Sequence, residues 1–173
     1  MTLDKIGKYE FLIEPFHCDF SQHLFVGHLG NHLLNAADFH SNDRGFGMNY
    51  LSTIHKTWVL SRLAIELESL PKAYSRMSVE TWVDRVMRFF THRNFKMTDA
   101  ETGVVYGYGR SVWAMIDTET RQPADILAVK EGSIVNYVDD VTPCPIEASS
   151  RVKIGGEADL VGSVETHYLS LIH

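Results

Sequence analysis

Thr57-Trp58-Val59-Leu60-Ser61-Arg62-Leu63-Ala64-Ile65-Glu66-Leu67-Glu68 alternates along most of its length. Val59, Leu63, Ile65 and Leu67 share one face with Ser61 as its only polar member, while Arg62, Glu66 and Glu68 line the other. A period of two sustained over so many residues predicts a long, half-buried β-strand. Three more strand-like runs rich in β-branched and aromatic residues follow at residues 77–86, 88–98 and 104–116. Pro71 breaks the chain before the first of them. Asp99-Ala100-Glu101-Thr102-Gly103 supplies turn residues for a hairpin between the last two.

Upstream, Leu29, Leu33, Ala36, Ala37 and Phe39 recur at helical spacing, and Gly45 and Gly47 stand where a helix would stop. This predicts one amphipathic helix of about three to four turns. Before it, Tyr9, Phe11 and Ile13 alternate with polar neighbours up to Pro15, the pattern of an opening strand. Strand, helix, then four long strands is an α+β order, with one helix on one face of an antiparallel sheet. The face bearing Val59 and Leu63 is assigned to the helix side. After Arg121 the periodicity is lost among Pro123, Gly132, Pro143, Pro145, Gly155 and Gly156, which reads as a linker with short local structure. Residues 164–172 are strand-like again, and His167-Tyr168-Leu169-Ser170-Leu171-Ile172-His173 loosely echoes Phe11-Leu12-Ile13-Glu14-Pro15-Phe16-His17.

At 173 residues and 45% hydrophobic, the chain can bury one full core with some tens of residues left over. A formal net charge of -6 opposes broad attraction to nucleic acid or an anionic membrane, so no nucleic-acid partner is expected. No apolar run approaches the roughly 18 to 20 residues of a membrane span, and a cytoplasmic protein is expected. Cys18 and Cys144 give no disulfide framework or metal-ligand spacing and read as reduced thiols.

Trp58-Val59-Leu60-Ser61-Arg62, Thr81-Trp82, Arg110-Ser111-Val112-Trp113 and Thr120-Arg121, in this order around the Asp99 to Gly103 hairpin, resemble the N-terminal half of the acyl-acyl carrier protein (acyl-ACP) thioesterase family. The resemblance implies tandem hot dog folds, each a long antiparallel sheet wrapped on one central helix, and hydrolysis of a fatty acyl thioester to free fatty acid. Residues 1–121 would form the N-terminal hot dog, 122–159 the linker and 160–173 the first strand of a second, truncated hot dog. The family's catalytic Asp-x-Asn-x-His-x-Asn segment would come just after Ile172-His173, so no catalytic residue is assigned within the sequence. The partner implied is acyl carrier protein with its phosphopantetheine-linked acyl chain. No cofactor is implied, and a homodimer is one assembly open to a lone hot dog.

Leu33, Ala36, Phe39, Phe46, Trp58, Val59, Leu63, Trp82 and Trp113 are the candidate lining of an acyl pocket, weighed against ordinary core packing. Gly107 and Gly109, on the face of Trp113, leave either a groove or room for close packing. Arg85, Arg88, Arg93 and Lys96 occupy a stretch without acidic residues and are candidates for docking the acidic carrier, against the alternative of a solvated strand edge. Arg62, Arg110 and Arg121 also match the family's pattern, in structural roles or ligand contact. Asp19, His23, His28, Asn31 and His32 approach the helix N-terminus, where hot dog enzymes place the thioester. They read mainly as helix-entry polar residues, and His28 with His32, one turn apart, lacks a third metal ligand. Two rival readings are a non-catalytic acyl-binding module and a dehydratase of hydroxyacyl thioesters, the latter resting on His40 with Asp43.

Overall fold

The computed structural model describes residues 4–147. The opening strand is β1 (Gly7–Leu12), and a short 3-10 turn at Pro15–His17 leads into α1 (Val26–Asp43). A one-and-a-half-turn helix, α2 (Met48–Thr53), follows before β2 (Lys56–Leu67), β3 (Arg76–Val86), β4 (Phe90–Asp99) and β5 (Val105–Asp117). The strands form one antiparallel sheet in the order β1-β3-β4-β5-β2. The predicted α+β arrangement is therefore the observed one.

The main helix is longer than its apolar stripe suggested. It gains its first turn at Gly27, His28 and Gly30, residues with no helical signal, and no side chain caps its start. Its end agrees with the glycine rule, because Gly45 adopts a φ of 76° just past the last turn. α2 had no signal in the sequence beyond Leu51, its one buried residue.

Two apolar clusters hold the layers together. Leu29, Leu33, Ala36 and Ala37 of α1 pack on Met77, Val79, Phe95, Met97 and Tyr106 of the sheet, with Leu63, Ile65 and Leu67 against them. The second cluster joins Phe46, Leu51 and Met115 to Ala124, Ile126, Val129 and Ile134, with Trp58 and Tyr137 alongside. Burying such side chains contributes about 1.5–3 kcal/mol each.

The assignment of Val59 to the helix side is corrected by one residue. The pairing of β2 with β5 slips between Leu60 and Arg62, so Ser61 is a bulge. A bulge reverses the parity of everything before it, and Val59 consequently lies 39% exposed while Trp58 turns inward.

The stretch read as linker folds onto the domain as far as residue 147. Two short 3-10 turns span Ile126–Tyr137, separated by left-handed Lys130, Glu131 and Gly132. The Lys130 ammonium donates to the Gly45 carbonyl and sits 4.0 Å from the Tyr50 ring centroid, clipping this segment to the turn before α2. Beyond it, Val138 bridges Val83, and Arg110 Nη1 donates to the Ile146 carbonyl across the face of the sheet that α1 does not cover. The strand expected at 164–172 lies outside the described residues.

Candidate functional site

α1 carries two parallel stripes. Leu29, Leu33 and Ala36 fill the first cluster, whereas Leu34, Ala37, Asp38 and Ser41, at i, i+3, i+4 and i+7, run along one wall of a cavity of about 250 Å³. Trp58 of β2, Val83 of β3, Thr91 and Arg93 of β4 and Trp113 of β5 form the opposite wall. Met48 of α2 and Ile134 close the end. Ala37 and Trp113 pack with the first cluster, Trp58 and Ile134 with the second, so the cavity lies at the junction of the two. Its mouth is marked by Asn35 and Met48, both exposed.

Alternation places Arg93 in this cavity. On β4, Thr91, Arg93, Phe95 and Met97 share the helix-facing side and are all buried. Arg93 Nη1 donates to Thr81 Oγ1 and Nη2 to Ser41 Oγ, each at 3.1 Å. Among the described residues, no carboxylate lies within ion-pairing distance of its guanidinium. Burial, reinforced by the nearby Arg44, pulls its pKa down to about 9, still cationic at neutral pH, while Asp38 acts the other way. Trp113 Nε1 donates to Ser111 Oγ at 2.8 Å, and Trp58 Nε1 donates to the Phe46 carbonyl at 2.9 Å, fixing both indoles.

The structure brings Trp58 and Trp113 together at the cavity and places the other candidates elsewhere. Leu33, Ala36 and Leu63 belong to the adjoining apolar cluster, and Phe46 lies buried in the second. Phe39 is 45% exposed, with its ring 5.7 Å from that of Tyr9 and 6.5 Å from that of Phe11. Trp82 is buried on the sheet's other face, between helix-facing Thr81 and Val83 and beside the network in which Arg110 and Asn94 both donate to Asp84 Oδ2. Gly107 and Gly109 accommodate close packing: a Cβ at Gly107 would strike the Glu66 carbonyl, and one at Gly109 would sit 3.1 Å from Phe95 and 3.4 Å from Leu33. Asp38, Ser41 and Thr91 were missed because only apolar residues were considered as lining, and Leu34 because it stands outside the stripe of Leu29, Leu33, Ala36 and Ala37.

The four-residue basic group separates as well. Arg85 and Arg88 are exposed around the β3–β4 turn, Arg88 paired with Asp125 at 2.9 Å. Lys96 lies 3.9 Å from Glu80, on the face opposite α1, and Arg93 is internal. Arg62 and Arg121 are exposed, Arg121 in a left-handed turn with φ of 58°.

The polar residues before α1 build a turn at the far end of the helix from the cavity. Asp19 Oδ1 accepts from Ser21 Oγ and from the backbone N–H groups of Ser21 and His23, and the Ser21 hydroxyl contact leads in holding its carboxyl below the usual range. His28 stacks on His17 with centroids 4.2 Å apart, His32 packs on Phe11, and Asn31 is exposed. Burial lowers the pKa of His32, helped by His17 and His28. His40 is buried, its Nε2 2.9 Å from the Lys5 carbonyl, and Asp43 accepts from the Tyr9 hydroxyl. That pair is turned away from the cavity and does not converge on a common point.

Residues 5–130 match the acyl-ACP thioesterase N-terminal domain family. The chain belongs to the acyl-ACP thioesterase family. It is 26% identical over 121 residues to the oleoyl-acyl carrier protein thioesterase 2, chloroplastic, of Arabidopsis thaliana, covering 66% of this chain and 33% of that protein. A palmitoyl-acyl carrier protein thioesterase, chloroplastic, of Gossypium hirsutum is 24% identical over 148 residues, 82% of this chain and 36% of its own. The crystal structure of an acyl-ACP thioesterase from Bacteroides thetaiotaomicron superposes with a TM-score of 0.78 at 55% identity, over 88% of this chain and 60% of that one. The 12:0-ACP thioesterase of Umbellularia californica has a TM-score of 0.70 at 20% identity, over 87% of this chain and 58% of its own, and shares the fold. This is the hot dog fold. The chain thus spans about a third of the length of the plant relatives and 60% of the Bacteroides one. Among the described residues no helix is long and apolar enough to cross a membrane.

Proposed function

We propose that this chain acts in the hydrolysis of fatty acyl-ACP to free fatty acid and holo-ACP, holding the acyl chain in the cavity beside α1 while the hydrolytic groups lie outside the described residues. The observation that carries the reading is the cavity itself, about 250 Å³ walled by Trp58 and Trp113 in a member of this family. A concave, partly apolar site with a few convergent polar groups is what a lipid tail needs. Hydrolysis also requires a base or nucleophile beside donors for the developing oxyanion. The cavity holds a carboxylate, Asp38, but no histidine.

The test pairs binding with turnover. The 173-residue chain should bind a fatty acid, read by calorimetry, and release no thiol from acyl-ACP, whereas the protein including the Asp-x-Asn-x-His-x-Asn segment should release it. Robust turnover by the 173-residue chain would place a hydrolytic site among these residues. Binding without turnover by the longer protein would make it an acyl-holding module instead.

A further inference from the structure

The cavity is mostly apolar but carries a polar strip, which an unsubstituted hydrocarbon tail does not require. Of its lining residues, Asn35, Asp38, Ser41, Thr91 and Arg93 carry hydrogen-bonding groups. Arg93 is 5% exposed and spends two of its donors on hydroxyls rather than on a carboxylate. A guanidinium has five N–H donors and no acceptor. Laying saturated methylenes against those that remain would desolvate a cation without replacing its water.

We propose that the cavity selects an acyl chain bearing a hydroxyl group, with Arg93 and Asp38 as the specificity-determining residues. The inference rests on the acyl-holding reading above and deepens it by naming the substrate class. A hydroxyl both accepts and donates, so it can take a hydrogen bond from Arg93 and give one to Asp38, which lines the same cavity from α1. A carboxylate in that place would meet the like charge of Asp38. A methylene would satisfy neither Asp38 nor the Arg93 donors left over from Thr81 and Ser41. Sites that hydrogen-bond a substrate hydroxyl discriminate strongly against the analogue lacking it, because their own polar groups are stranded by the wrong ligand.

The experiment compares dodecanoic acid with its positional hydroxy isomers, by calorimetric titration of the full chain. At least one isomer is expected to bind about tenfold or more tightly than dodecanoic acid, the scale of a hydrogen bond to a charged group. In Arg93→Met the ratio should fall towards one. Asp38→Asn, a change on a half-exposed helix position, should lower it several-fold and keeps the test available where Arg93→Met does not fold. Equal binding of dodecanoic acid and every isomer by the unaltered chain would overturn the selectivity and leave the acyl-holding role intact. Failure of all of them to bind would overturn both.

Discussion

His40 shows how a single residue sets a response to acid. Its imidazole is 1% exposed, and burial, followed by the Arg93 charge, depresses its pKa from 6.5 to about 3. As the pH falls, the unfolded chain takes up this proton first. The stability His40 contributes is therefore complete above about 6.5 and is lost progressively as the pH drops towards 3. His40→Gln should be less stable at neutral pH, yet its urea-unfolding free energy should fall less steeply across that window, by up to ~1.4 kcal/mol per pH unit. Parallel slopes for the two proteins would show that His40 does not titrate this way. Arg93 illustrates what was legible at this scale. Its parity with Phe95 and Met97 marks it as inward-facing in the bare sequence, but grouping it by charge with Arg85, Arg88 and Lys96 placed it outside. Neighbours along the chain share a charge pattern; neighbours two apart share an environment.

At the scale of elements, the strands and the hairpin were readable because each has a local cause. Asp99 Oδ1 accepts from the backbone N–H of Glu101 and Thr102, and Gly103 takes a φ of 75°, so the turn is written in its own residues. The same device recurs where Asp117 Oδ1 accepts from the N–H of Glu119 and Thr120 before left-handed Arg121. The bulge at Ser61 had no such signature. An inserted residue is defined by the strand opposite, and β5 lies some fifty residues downstream in the chain. Deleting Ser61 should remove the bulge yet leave Trp58 and Leu60 on the face of Leu63 and Ile65, because the two-residue spacing then runs unbroken along β2. A loss of only about 1 kcal/mol is expected in chemical unfolding, the scale of an ordinary single change, against about 3 kcal/mol or more for expelling an aromatic from the core. Ser61→Ala, at an exposed position, should change stability by no more than about 0.5 kcal/mol. A loss of about 3 kcal/mol or more for the deletion would mean that Trp58 had left the core and that the extra residue itself holds the register.

For the whole molecule, the formal charge of -6 makes the placement of basic residues matter for meeting an acidic carrier. Arg85 and Arg88 are exposed around one turn, while Lys96 faces Glu80 elsewhere on the sheet. Reversing both arginines to Glu in the acyl-ACP-hydrolysing protein should raise the apparent KM for carrier several-fold, with kcat little changed and the effect shrinking at high salt. Lys96→Glu should leave KM alone. Unaltered kinetics for the double arginine variant would remove this turn from the encounter. The site's polar strip was hidden from the sequence because it forms only when one stripe of α1 meets the inward face of β4, some fifty residues further along the chain. The parity change at Ser61 has a broader consequence. One strand thereby serves two separate hydrophobic compartments, and the hollow opens along their seam, where side chains committed to either side fall short of the middle. Empty space of that origin belongs to the scaffold, so evolution can retune what lodges there by exchanging wall residues without rebuilding the frame.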